Sequence, residues 1–145
     1  MKKETIAAAA AAIALSGAAG AHEFVCEKTI EGEVVHVVAE YPATLHFKIV
    51  VTNTHPTDAS TALAVRDDLL ARFLPAAPFV VEVGQSLQLD AAITVSSRAE
   101  CSRLSRAAAC NGGIIDDVFQ VIFDGGLAQC AARLVCMRDM GGGKE

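Results

Sequence analysis

Tryptophan is absent from this chain of 145 residues and tyrosine occurs once. A Trp buried against a disulfide, as in antibody domains, is therefore excluded. An aromatic platform for carbohydrate is poorly supplied as well. The chain has five cysteines but no C-x-x-C pair, and its closest spacings, five and eight intervening residues, are not zinc spacings. It has no G-x-S-x-G elbow to expose a nucleophilic serine. It has no D-x-D-x-D-G spacing to hold calcium. Basic residues are outnumbered, 12 against 17 acidic, for a formal net charge of −5. That balance argues against nucleic acid and against anionic membrane as partners.

What is present begins with the first 21 residues. Lys2 and Lys3 precede an uncharged apolar run from Ile6 to Leu15, and Ala19-Gly20-Ala21 follows. A basic start, roughly 10 apolar residues and small residues at the −3 and −1 positions describe a secretory signal peptide. The run falls short of the about 20 apolar residues that span a bilayer, so no transmembrane segment is expected once the signal is removed. Ala21 is the expected last residue removed and His22 the new N-terminus. Ala18 follows Leu15-Ser16-Gly17 where a lipoprotein signal would carry its modified cysteine. Loss of two lysines and one glutamate with the leader takes the net charge from −5 to −6. What remains is enough for one domain, expected at 22–140, with a disordered glycine-rich tail at 141–145.

The mature part alternates with a period of two. Leu45, Phe47, Ile49 and Val51 point one way and Thr44, His46, Lys48, Val50 and Thr52 the other, as in a strand with one buried face. Leu87, Leu89, Ala91, Ile93 and Val95 make a second such strand, opened by Gly84-Gln85-Ser86, and Phe79 to Val83 a shorter one before it. Val118 to Phe123 and Leu127 to Met137 flank Asp124-Gly125-Gly126 as a hairpin. One early strand is expected between Thr29 and Val38, ending at Glu40-Tyr41-Pro42. One segment departs from the rhythm: Ser97 and Glu100 form a capping box, which predicts a helix over about Arg98 to Ala109, stopped by Asn111-Gly112-Gly113. A helical turn is possible at Asp67 to Phe73. Short strands without βα alternation predict an all-β sandwich of about seven strands with one short crossover helix.

Leu45 to Leu70 resembles a bacterial family of immunoglobulin-like surface repeats, the conserved-repeat domains. That pattern is an apolar strand ending in Asn, a Gly-Pro turn, then Val-x-Val-x-Asp-x-Leu-Pro. Here it runs Phe47, Ile49, Val51, Asn53, Pro56, then Leu63, Val65, Asp67 and Leu69, with His55 in place of Gly and Leu70 in place of Pro. The resemblance covers about a fifth of the chain. It implies a Greek-key immunoglobulin-like sandwich with structural or adhesive use at the envelope, and no catalytic residues. Asn53 and Pro56 have local work as turn residues, and Asp67 as a cap for the turn that follows.

In an oxidising compartment the cysteines form disulfides. Cys130 and Cys136 on one strand stand about 20 Å apart and do not bond each other. Cys26 is expected to pair with Cys136 or Cys130, Cys101 with the other, leaving Cys110 odd and available between molecules. His22 at a free N-terminus offers copper(II) an α-amine and an imidazole, with further ligands from His36, His46 or His55. Glu100, Asp116 and Asp117 are the carboxylates to weigh as a glycosidase pair, but Glu100 is used by the cap and Asp116-Asp117 opens a strand after a loop; with Asp124 these aspartates read as solvated carboxylates. The expectation is a non-enzymatic structural or interaction domain without a cofactor, periplasmic, cell-surface or secreted. Its partner is a protein or other component of the envelope, met at loops 53–60 and 112–116 or at a sheet edge.

Overall fold

The computed structural model describes residues 24–105 and 112–138. The expected leader, His22, the second half of the expected helix with Cys110, and the tail lie outside them. The described chain forms eight strands: β1 (Phe24–Ile30), β2 (Val35–Val38), β3 (Ala43–Asn53), β4 (Ser60–Arg66), β5 (Phe79–Val81), β6 (Ser86–Val95), β7 (Ile114–Phe123) and β8 (Gly126–Cys136). They make a three-stranded sheet, β1-β3-β6, facing a five-stranded sheet, β2-β8-β7-β4-β5. All pairings are antiparallel except β2 with β8. The β-sandwich expected from the alternation is the architecture observed.

Period-two alternation produces the two layers directly. On β3 the inward row is Leu45, Phe47, Ile49, Val51 and Asn53; on β7 it is Ile115, Asp117, Phe119, Val121 and Phe123. Ala91, Ile93 and Val95 of β6 and Ala128, Cys130, Ala132, Leu134 and Cys136 of β8 complete the facing surfaces. Within the larger sheet, small inward residues of β8 lie beside large ones of β7, Cys130 beside Phe119 and Ala128 beside Val121. Phe24 and Phe123 stack across the end of the sandwich, ring centroids 4.0 Å apart.

Three expectations change. The single early strand is two: Glu31 at φ 53° and Gly32 at φ 79° turn the chain between β1 and β2, which join different sheets. The capped helix, α1, runs only Arg98–Ser102; Leu104 N–H already bonds Cys101 carbonyl at 3.1 Å, a tighter turn than the α pattern. The turn after Asp67 is a 3-10 turn at Ala71–Phe73. The cap has its first arm, Ser97 Oγ accepting from Glu100 N–H at 3.1 Å, while the Glu100 carboxylate accepts from the N–H of Ser96, one residue before the cap. As expected of a crossover, α1 joins β6 of one sheet to β7 of the other.

Adjacent β7 positions give a test of the layers. Phe119 is fully buried, whereas Val118 is 41 % exposed. Phe119→Ala is expected to cost about 3–5 kcal/mol. Val118→Ala is expected to cost no more than about 0.5 kcal/mol, as at a surface position. Urea denaturation of both variants reads the difference, and equal costs would contradict the assigned faces.

Candidate functional site

The inward row of β1 is Cys26, Lys28 and Ile30, and all three are buried. A lysine in such a row has its ammonium inside the sandwich, where a lone ion would be severely penalised. Two carboxylates meet it. Asp117 comes from the inward row of β7, and Asp67 immediately follows β4, so both belong to the opposite sheet. Lys28 Nζ lies 2.5 Å from Asp117 Oδ2 and donates equally directly to Asp67 Oδ2. Side-chain exposure is 0 % for Lys28 and Asp67 and 2 % for Asp117. The other oxygen of Asp67, Oδ1, accepts the backbone N–H of Leu70 at 3.0 Å.

With all three groups ionised this buried site would hold one net negative charge. Burial, followed by the hydrogen bond with Asp67, pushes the Asp117 carboxyl up from 3.8 to about 7, against the pull of the Lys28 ammonium. Asp117 is thus the carboxyl whose proton is held, in contact with Lys28 and Asp67. The arrangement sets an amine and two carboxyl groups in mutual contact inside the sandwich.

Two disulfides flank it. Cys26, two residues before Lys28 on the same face, bonds Cys130 of β8; Cys101 of α1 bonds Cys136 at the end of β8. Between the alternatives left open by the sequence, Cys26 therefore takes Cys130 and Cys101 takes Cys136. Gly113, at φ +88°, packs where a Cβ would lie 2.6 Å from the Cys136 carbonyl oxygen, so the turn into β7 needs glycine.

The remaining residues singled out from sequence serve local structure. Asn53 is buried: its Oδ1 accepts from His55 N–H at 2.9 Å and its amide donates to the carbonyls of Asp58 and Val81. Pro56 lies in the turn so formed. Asp67 caps its turn through Leu70, as expected, but also reaches Lys28, which the turn reading misses. Asp116 and Asp117 lie near the start of strand β7, as expected, but only Asp116 is solvated: it is exposed and paired with Arg133 at 2.7 Å, whereas Asp117 is buried. His36 meets Glu33 at 2.8 Å, His46 meets Glu31 at 2.6 Å, and His55 accepts from Thr57 and Asp58 N–H. Among the described residues no three His, Cys, Asp or Glu side chains are grouped as metal ligands. Nor is any described helix long and apolar enough to cross a membrane.

Sequence reading passes over Lys28 altogether. The signal was there: extending the alternation to Cys26-x-Lys28-x-Ile30 and Ile115-x-Asp117-x-Phe119 puts opposite charges on apolar rows. No family model matches the chain, and no curated protein or solved structure matches it either.

The raised Asp117 carboxyl has a consequence for stability. Between pH about 4 and about 7 the folded protein holds a proton that the unfolded chain has released, so raising the pH through that window favours unfolding. The slope is at most about 1.4 kcal/mol per pH unit. Urea midpoints of the wild type are expected to fall across the window relative to those of Asp117→Asn, which has no such proton. Parallel profiles would refute the assignment.

Proposed function

We propose that the chain is an exported, non-enzymatic structural domain of the cell envelope or secreted space, an immunoglobulin-like Greek-key sandwich of adhesion type. The observation that carries this reading is the position of the Cys26–Cys130 bond in the path of mechanical tension. Tension applied between the chain ends enters at Cys26, crosses to Cys130, and leaves along the last residues of β8. The intervening chain, a sequence separation of 104, is a closed loop that this tension bypasses. Fully extended, such a loop would add about 350 Å of slack. A domain wired this way keeps its length under load, which suits a spacer or adhesive module. Two disulfides and the leader-like first 21 residues fit assembly in an oxidising compartment. Recognition in such a module belongs to loops on the rigid frame, here 54–59 and the turn at 112–113 that leads into β7.

Two measurements test the reading. Full-length protein produced with its leader in a bacterial host is expected outside the cytosol, beginning at His22; cytosolic retention with free thiols would end it. Pulled between its ends as a single molecule, the oxidised exported protein is expected to show no unfolding step. The same protein in reductant is expected to show one. A full unfolding step in the oxidised protein would remove the mechanical argument.

A further inference from the structure

The disulfides and the expected caps leave one set of chemistry-bearing groups without a purpose. Lys28, Asp67 and Asp117 put an ionisable amine and two carboxyl groups inside an apolar core, each within hydrogen-bond reach of Lys28 Nζ. As a purely structural ion triad this is a poor device. Desolvation of the charges consumes most of what their attraction returns, and apolar side chains of similar volume would serve as well. The same geometry is, however, well suited to making a bond.

We propose that Lys28 and Asp67 condense inside the folded domain to an amide between Nζ and Cγ, an intramolecular isopeptide cross-link, with Asp117 as the proton carrier. The step balances without any co-reactant. The Lys28 ammonium passes one proton to Asp67 Oδ2, leaving a neutral amine beside a neutral carboxyl group. The nitrogen lone pair attacks Cγ and the C–N bond forms. Asp117 gives its acid proton to the Oδ2 hydroxyl and takes one from Nζ; the Cγ–Oδ2 bond breaks and water leaves. Ammonium and carboxylate have become amide and water, net charge is unchanged, and Asp117 is again protonated.

Each role follows from a contact. Asp67 is the electrophile because its Oδ1 is held by Leu70 N–H at 3.0 Å, a fixed donor for the charge that develops on that oxygen. Its Oδ2 faces the amine and is the atom to leave. Asp117 touches Lys28 Nζ and is hydrogen-bonded to the Asp67 side chain, so it meets both groups between which the protons move. All three side chains are fixed by strands or a strand end, which converts a bimolecular condensation into an intramolecular one of high effective concentration. Near-complete burial supplies the driving force: it keeps out the water that would reverse the step and favours a neutral amide over desolvated ions.

The inference does not rest on export or on tension and is tested separately from them. The folded full-length protein is reduced, denatured, weighed intact, and digested with trypsin for peptide sequencing by mass. The expected result is a chain lighter by one water, no cleavage after Lys28, and a branched peptide joining residues 28 and 67. Asp117→Asn, shown to be folded by its circular dichroism, is expected to keep the full mass. Wild-type protein of full mass with Lys28 open to trypsin would overturn the proposal, and so would a branch at residue 117. Water loss persisting in folded Asp117→Asn would overturn the role of Asp117.

Discussion

The interior of this sandwich contains an ammonium group, and the architecture depends on how that charge is settled. Each ion removed from water costs several kcal/mol, recovered only when its partners arrive with good geometry. Lys28 therefore commits three separate pieces of chain at once: β1, β7 and the end of β4. A slip of β1 by one residue would point Glu27 or Thr29 inward and strand Asp67 and Asp117 without a cation. The triad is a poor source of net stability and a strong specifier of register, because every alternative pairing leaves a buried charge unpaired.

The disulfides act on the same strands by a different route. Cys26 and Lys28 occupy successive inward positions of β1, so the edge strand of the smaller sheet is tied twice to the larger one. One tie works by restricting the unfolded chain, the other through native electrostatics. At the opposite end of β8, Cys136 gathers a second knot: the bond to Cys101, the Arg98 guanidinium donating to the Cys136 carbonyl at 3.2 Å, and the Gly113 turn pressed against that carbonyl. Strand β8 thus carries an anchor in its interior and one at its end, and both reach elements outside its own sheet.

How much of this was legible depended on what a residue's neighbours in sequence reveal. Leu45 to Val51 and Leu87 to Val95 declare their faces because apolar and polar residues alternate without interruption. The hairpin around Asp124-Gly125-Gly126 and the cap at Ser97 are local chemistry, and both are where they were expected. The early strand is placed too late and not divided into β1 and β2, because Glu27, Lys28 and Glu31 make the segment read as polar although the inward row of β1 is Cys26, Lys28 and Ile30. The burial of Asp117 is hidden for the same reason, since a pair of adjacent aspartates at a strand start reads as solvated although only Asp116 is exposed. The cysteine pairing needed the topology itself. Only the placement of β1 against β8 brings Cys26 to Cys130, and no local spacing encodes that.

The two ties on β1 are nested, and this decides what each can protect. Residues 28 and 67 both lie inside the loop closed by Cys26 and Cys130. While that disulfide is intact, an amide at Lys28 adds nothing against tension between the chain ends, because the load never reaches it. Its effect falls instead on events within the loop: separation of the sheets, fraying of β1 from β3, and excursions of β4. It also differs in chemistry, since a reductant that opens the disulfides leaves an amide untouched. A lock against stretching and a lock against opening are then assigned to neighbouring residues of one strand, and each covers the failure that the other leaves exposed.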